Sequence, residues 1–299
     1  IVIFSLVFTA RSLEIYVFEL KSRSLFKEQF VATALSVVIT SIIKIVIILS
    51  KPNLIIELLL ALNVLEALLI GTFAKMYYSS ILKAKISIEL MRELISKTWK
   101  QAIISSVIIL YMKVDIIMIE RLIDFAEVGK YSVAVTIAEL WYFIPMSIVS
   151  VFYTKLVTKN NDISYIILSR ILITISFLAI IGIYLLGEYF LGLFGNNYSD
   201  AISPLLVLMY SGLFVSLGLV QDKWYILNYR EERLLLKTVM GLAVNIALNL
   251  LLVPIYGIQG AAIATLSGLI MSTLISDVLF GERRILNILF YKSKKILVQ

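Results

Sequence analysis

The chain has 299 residues, 61% of them hydrophobic and only 16% charged, with a mean hydropathy of +0.98. A water-soluble domain of this length would have too little polar surface to cover itself. With neither cysteine nor histidine present, a disulfide framework, thiol chemistry and the usual zinc sites are excluded, and the net charge of +7 needs an explanation other than soluble surface.

Apolar runs of about 20 residues recur along the chain, the length that crosses a bilayer core of about 30 Å. Nine spans are predicted, at about 1–20, 29–50, 54–78, 101–120, 131–153, 163–186, 201–227, 234–254 and 259–280. The runs are continuous rather than alternating with period two, which excludes a closed β-barrel. The expected fold class is all-α, a polytopic transmembrane helical bundle.

The basic residues sort by loop. With the tail at 281–299 taken as cytoplasmic, the loops at 21–28, 79–100, 154–170 and 228–237 fall on the same side, and together these segments hold nineteen of the 27 Lys and Arg. The opposite loops hold only Lys51, Arg121 and Lys130. An alternation this strong orients the chain with a cytoplasmic C-terminus and makes the net charge a topology signal, with no nucleic acid invoked. Ile1 then lies on the outer side, inside an apolar run, and the chain is expected to lack its first three spans. Twelve spans in two six-helix lobes would be a common transporter plan. On this plan 1–78 is the second half of the N-terminal lobe, 79–100 a linker, 101–280 the C-terminal lobe and 281–299 a basic cytoplasmic tail. In the linker Ile81, Leu82, Ile86, Leu90 and Leu94 recur at roughly helical spacing among lysines and acids. That reads either as an amphipathic helix lying at the interface or as a basic connector.

Ionisable residues inside spans are costly in lipid and are the candidates for function. Arg11 and Glu14 lie three apart on one face and can pair. Lys44 lies deep in the second span and Glu66 near the middle of the third, within reach of a cross-helix pair. The fourth span contains Tyr111-Met-Lys113-Val-Asp115. Two residues apart, Lys113 and Asp115 differ by about 200° around a helix and face different ways. The fifth span contains Glu139 at similar depth and Pro145, which cannot donate to the Trp141 carbonyl and favours a kink. Asp115, Glu139 and Glu66 are the ion-coupling candidates; the alternative for Glu139 is a Lys113–Glu139 pair that only fastens two helices. Asp222, Lys223 and Asp277 sit near span ends, where snorkelling to the interface accounts for them. Asn245 and Asn249 share a face of the eighth span, as interhelical hydrogen bonders or as cavity lining. Trp99, Trp141, Tyr142, Trp224 and Tyr225 read mostly as interface-belt aromatics. No Gly-x-x-x-x-Gly-Lys-Ser/Thr motif occurs, and no loop is long enough for a catalytic domain outside the membrane. Neither an enzyme nor a cofactor or metal is expected, and any transport draws on an ion gradient, the membrane potential or the substrate gradient.

Three stretches carry a family resemblance: Val114–Ala134 followed by Glu139–Pro145, then Phe194-Gly-Asn-Asn-Tyr198, then the hairpin Asn245-Ile-Ala-Leu-Asn249-Leu-Leu-Leu-Val-Pro254-Ile-Tyr-Gly257-Ile-Gln-Gly260-Ala-Ala-Ile-Ala-Thr265. In order and placement they resemble the C-terminal lobe of O-antigen and capsular polysaccharide flippases, the Wzx-like branch of the multidrug/oligosaccharidyl-lipid/polysaccharide (MOP) exporter superfamily. The resemblance implies a flippase of the bacterial inner membrane that moves undecaprenyl-pyrophosphate-linked sugar units outward by alternating access. Such a flippase serves polysaccharide or lipopolysaccharide biosynthesis beside a polysaccharide polymerase, in contact with membrane lipids and coupled to a proton or sodium ion. A pyrophosphate needs cations in an apolar vestibule, and Arg11, Lys44 and Lys113 are the expected ones. A multidrug exporter of the same superfamily would instead prefer an acidic, aromatic cavity. A membrane polysaccharide polymerase is the remaining alternative.

Overall fold

A computed structural model describes residues 6, 9–23, 25–50, 55–77, 87–159 and 162–282, and it divides into two units, Ile1–Leu90 and Met91–Gln299. The first unit has a 3-10 turn at Ser12–Glu14 and helices α1 (Ile15–Ser22), α2 (Phe26–Ser50) and α3 (Ile55–Tyr77). The second is carried by α4 (Ile88–Leu122), α5 (Phe125–Lys159), α6 (Asp162–Gly192), a 3-10 segment at Asn196–Ala201, α7 (Ile202–Leu227) and α8 (Glu231–Ile270). A π-helical turn at Met271–Ile275 then leads to α9 (Ser276–Leu279). Among the described residues six helical stretches are long and apolar enough to cross a membrane: Phe26–Ser50, Ile88–Leu122, Phe125–Tyr153, Ile163–Gly192, Asn197–Leu227 and Glu231–Leu279. The chain is a multi-pass helical membrane protein, and the nine-span count goes beyond these six. The predicted first span lies partly outside the described residues.

The helices are inside-out relative to those of a soluble protein. On α2, Ser36 and Thr40 are buried while Val38, Ile42, Ile45 and Leu49 are exposed. Lipid is as apolar as Leu, so apolar side chains gain little by hiding from it, and small polar residues that allow close helix approach take the interior. The Ser36 hydroxyl is satisfied within the helix, donating to the Ala32 carbonyl at 2.8 Å, while that of Thr40 lies 2.9 Å from both the Ser36 carbonyl and Glu66 Oε2 of α3.

In the second unit two apolar layers stack along the bundle. One gathers Ile119, Tyr131, Ala134, Leu205, Met209, Val253 and Ala261; the other gathers Ile104, Leu156, Leu168, Leu172, Val220, Trp224 and Tyr225. Small residues bring the helices together. Ser176 of α6 and Ser216 of α7 are 3.1 Å apart and buried. A Cβ on Gly212 would sit 3.1 Å from the Tyr142 ring and 3.3 Å from that of Trp141, so this glycine admits two aromatics of α5 against α7. Residues 88–100, expected as part of a separate linker, are the first turns of α4 and run unbroken into the 101–120 stretch; residues 79–86 lie outside the described ones. Lys100 pairs with Glu232 at 2.8 Å and Gln101 donates to Glu231 at 3.0 Å, which ties α4 to the first turn of α8.

α8 is a hairpin. Gly257 has φ 57° and ψ −141°, a conformation only glycine adopts freely, and the chain reverses there. The legs lie in backbone contact. A Cβ on Gly260 would be 2.4 Å from the Leu252 carbonyl oxygen, and one on Gly268 would be 2.7 Å from that of Gly241. Pairing 252 with 260 and 241 with 268 fixes an antiparallel register, and the predicted runs 234–254 and 259–280 are its two legs. Pro254 falls near the end of the first leg, where its missing N–H deprives the Leu250 carbonyl of its helical donor and helps end the helix before the Gly257 turn.

Candidate functional site

Asp115 is the centre of the polar interior of the second unit. It is buried, and donors from three helices fill both of its oxygens. Asn245 and Asn249 of the hairpin's first leg donate to Oδ1 at 3.0 and 2.8 Å. Tyr131 of α5 donates to Oδ2 at 3.0 Å, and the hydroxyl of Thr265 on the second leg also donates to Oδ2. Every lone-pair position of the carboxylate is thereby taken. The helical spacing explains why two asparagines converge: four residues apart they stack on one face. Asn249 spends its amide N–H groups on Asp115 and Asn245, which leaves its Oδ1 buried with no hydrogen-bond partner. Tyr111, one turn before Asp115, donates to the Thr265 carbonyl at 2.9 Å and holds the same layer.

This carboxylate forms part of the wall of a cavity of about 320 Å³, with Tyr111, Tyr131, Glu139, Tyr142 and Phe214 around it and Asp222, Lys237, Ser272 and Thr273 further along. Those last residues belong to a second polar cluster. Lys237 Nζ lies 2.7 Å from Asp222 Oδ1 and donates to Gln221 Oε1 at 3.2 Å. Gln221 in turn donates to Asp277 Oδ2 and to the Thr273 carbonyl, both at 2.9 Å, and Tyr225 donates to Asp277 Oδ1 at 2.7 Å. The π-helical turn at Met271–Ile275 supplies that Thr273 carbonyl. Single π turns inside helices often mark functional positions.

Of the expected cavity cations, none lines this cavity. Arg11 belongs to the first unit and lies 3.8 Å from Glu14, with most of its side chain exposed. Lys44, also in the first unit, lies 2.9 Å from Glu66 and donates to Asn63 at 3.1 Å, while Thr40 donates to the same Glu66 oxygen at 2.9 Å. The cross-helix pair is therefore formed, and it takes the Glu66 carboxylate. Lys113 is 54% exposed and lies 4.0 Å from Glu139, on the opposite face from buried Asp115. Glu139 reaches both that lysine and the cavity. Pro145 stands inside α5, which runs on through it, and the nearby Trp141 indole N–H is buried with no hydrogen-bond partner.

Two expectations are overturned. Asp277 does not snorkel; it is buried and bonded by Gln221 and Tyr225. Tyr225 and Trp224 are core residues and Tyr142 lines the cavity, so among these aromatics only exposed Trp99 keeps the character of a belt residue. Sequence reasoning missed Tyr131, Thr265 and Lys237. Thr265 was visible as the lone hydroxyl on a Gly-Ala-Ala face, whereas Lys237 closes the charged run Asn228–Lys237 and read as a loop cation.

No protein-family model matches the chain, and no curated protein matches it. A solved structure does: the inward-facing conformation of a multidrug resistance MATE family transporter of the MOP superfamily is similar with a TM-score of 0.62 at 15% identity, over 87% of this chain and 65% of that one. The chain thus spans just under two thirds of the length of that transporter. At this identity the likeness is one of fold alone, and the chain is a multi-pass helical membrane protein.

Proposed function

We propose that this chain forms the translocating lobes of a flippase that carries undecaprenyl-pyrophosphate-linked oligosaccharide units from the cytoplasmic to the outer leaflet of the bacterial inner membrane, for O-antigen or capsular polysaccharide synthesis. The observation that carries the reading is the cavity wall. Tyr111, Tyr142 and Phe214 offer flat faces, while Thr238, Ser272 and the Glu139 and Asp222 carboxylates offer hydrogen-bonding groups. Sugar rings present apolar C–H faces and a rim of hydroxyls, and such a wall complements both. The acids do not form a free anionic lining, because Asp115 is filled by four donors and Asp222 by Lys237. The polymerase that consumes the flipped units is the natural downstream partner, and the distribution of basic residues among the loops supports a cytoplasmic C-terminus.

Asp115 couples the ion to the movement. A proton or sodium ion taken up there must displace one of the donors that hold α4 to the hairpin and to α5, so loading the site loosens the bundle at the cavity wall. Alternating access then follows from relaxing and restoring these bonds.

Complementation tests the reading. The full-length gene is placed in a strain lacking its own polysaccharide flippase, and surface polymer is scored on a gel. Restored polymer is the expected result, and Asp115→Asn should remove the pH or sodium dependence of export. Absence of polymer with the protein in the membrane rejects the reading.

A cation-coupled multidrug exporter is the second reading, favoured by the carboxylates and tyrosines of the same cavity. Efflux of a cationic dye by the full-length protein is its test.

A further inference from the structure

Lys237 is a buried ammonium in the wall of that cavity, and among the described residues it is the one cation that lines it. Three things fix it in place: Asp222 at 2.7 Å, Gln221 Oε1 at 3.2 Å and the Tyr225 ring, whose centroid is 5.4 Å away. The two members of the ion pair are unequal. The lysine side chain is 4% exposed and that of Asp222 is 30% exposed. This inequality decides which ligand charge can enter.

A cationic group arriving at this end would have to take Asp222 from Lys237 and leave the ammonium buried without a carboxylate. An uncompensated charge in a low-dielectric interior is strongly unfavourable. An anionic group takes the opposite partner. It replaces Asp222 at Lys237, the buried charge stays paired, and the half-exposed carboxylate turns into the cavity, where it can be hydrated. The neighbouring cluster supports the same direction. Asp277, the other acid nearby, already accepts from Gln221 and Tyr225, so Gln221 keeps orienting Lys237 during the exchange.

We infer that Lys237 and Asp222 form a charge-exchange site that receives an anionic group of the transported molecule, Lys237 as the binding cation and Asp222 as the internal competitor that holds the site when it is empty. This rests on the reading of the cavity as the substrate path. It assigns the role expected of Arg11, Lys44 and Lys113 to a residue that none of those positions indicated. A prenyl diphosphate and an acidic sugar both carry such an anion, and the chemistry at Lys237 is the same for both.

The test measures binding to the purified full-length protein in lipid nanodiscs by isothermal titration calorimetry. Geranyl diphosphate and methyl glucuronide are the two anionic probes, and tetraphenylphosphonium is the cationic one. At least one anionic probe should bind the unmodified protein, and the one that binds identifies the source of the anion. Asp222→Asn removes the competitor and should tighten that binding about tenfold. Lys237→Gln should weaken it at least tenfold, and Lys237→Arg should restore most of it. The opposite signs at two touching residues separate exchange from mere structural damage, which would weaken binding in both. Binding that falls in Asp222→Asn, or tetraphenylphosphonium binding that rises in Lys237→Gln and is lost in Asp222→Asn, overturns the inference. If no anionic probe binds any variant while complementation restores polymer, the exchange site is wrong and the flippase reading stands. If Asp222→Asn tightens geranyl diphosphate binding while complementation fails, the exchange site stands and the flippase reading does not.

Discussion

Asp115 and Asn249 are 134 positions apart in the chain and are joined by a 2.8 Å hydrogen bond in a buried layer. With Asn245, Thr265 and Tyr131 this bond makes one carboxylate of α4 the shared acceptor for α5 and both legs of the hairpin. Removing the acceptor leaves several buried donors unsatisfied, each costing about 1–3 kcal/mol. Asp115→Ala should therefore destabilise the protein by about 3 kcal/mol or more, and Asp115→Asn by distinctly less, because its carbonyl oxygen still accepts. Thermal unfolding in detergent, followed by tryptophan fluorescence, measures both. Equal midpoints for Asp115→Ala and the unmodified protein would remove this carboxylate from the account of the fold.

The hairpin turn and its packing make separable predictions. Gly257 sits at φ 57° with open space around its Cβ position, so Gly257→Ala meets only backbone strain, about 1–3 kcal/mol. Gly260 is limited by the Leu252 carbonyl at 2.4 Å, so Gly260→Val forces the legs apart and should cost more than Gly257→Ala. Gly182 in α6 has nothing within 4 Å of a Cβ, and Gly182→Ala should be neutral or stabilising by up to about 1 kcal/mol. The ranking of the three midpoints is the result to check.

In the first unit, Lys44 and Glu66 are each 26% exposed and share their contact with Thr40 and Asn63. Lys44→Met should be more damaging than the double variant Lys44→Met with Glu66→Leu, because the single change strands a half-buried carboxylate. A double-mutant cycle on unfolding midpoints should give a coupling of about 1 kcal/mol or more. Additive effects would mean that the pair contributes nothing.

Nearer the start of α4, the Lys100–Glu232 contact is exposed and the Gln101–Glu231 contact is partly buried. Surface pairs of this kind are worth about 0–1 kcal/mol. Glu232→Gln should leave the unfolding midpoint nearly unchanged, and the remaining difference should vanish in high salt. A large loss would show that this contact holds α4 in place.

Periodicity within one helix was legible in the sequence. It put Asn245 and Asn249 on one face, Lys113 and Asp115 on different faces, and a tight turn between two apolar legs, as the hairpin has. Depth along the spans put Lys44 and Glu66 at levels that allow a pair, but not which faces meet. What it could not supply was which face meets which. Helical spacing is local, whereas the meeting of Asp115 with Tyr131 and Thr265 depends on how three helices pack. Lys237 was misplaced for a different reason. Charge density over Asn228–Lys237 marks a loop, yet α8 begins at Glu231 and its first turns carry the lysine inward. Asp277 was misplaced likewise, because depth estimated from distance to a span end ignores burial by neighbours.

The backbone contacts at Gly241, Gly260 and Gly268 have a mechanical consequence. Two legs locked this closely cannot slide past one another, so the hairpin moves as one stiff lever. Lys237 and Asn245 are eight residues apart on its first leg, about 12 Å at the helical rise. On the proposed reading, a tilt set off by an anion arriving at Lys237 would be transmitted along the lever to the grip on Asp115. Cargo and driving ion, bound at two levels of one stiff leg, would then sense each other without touching.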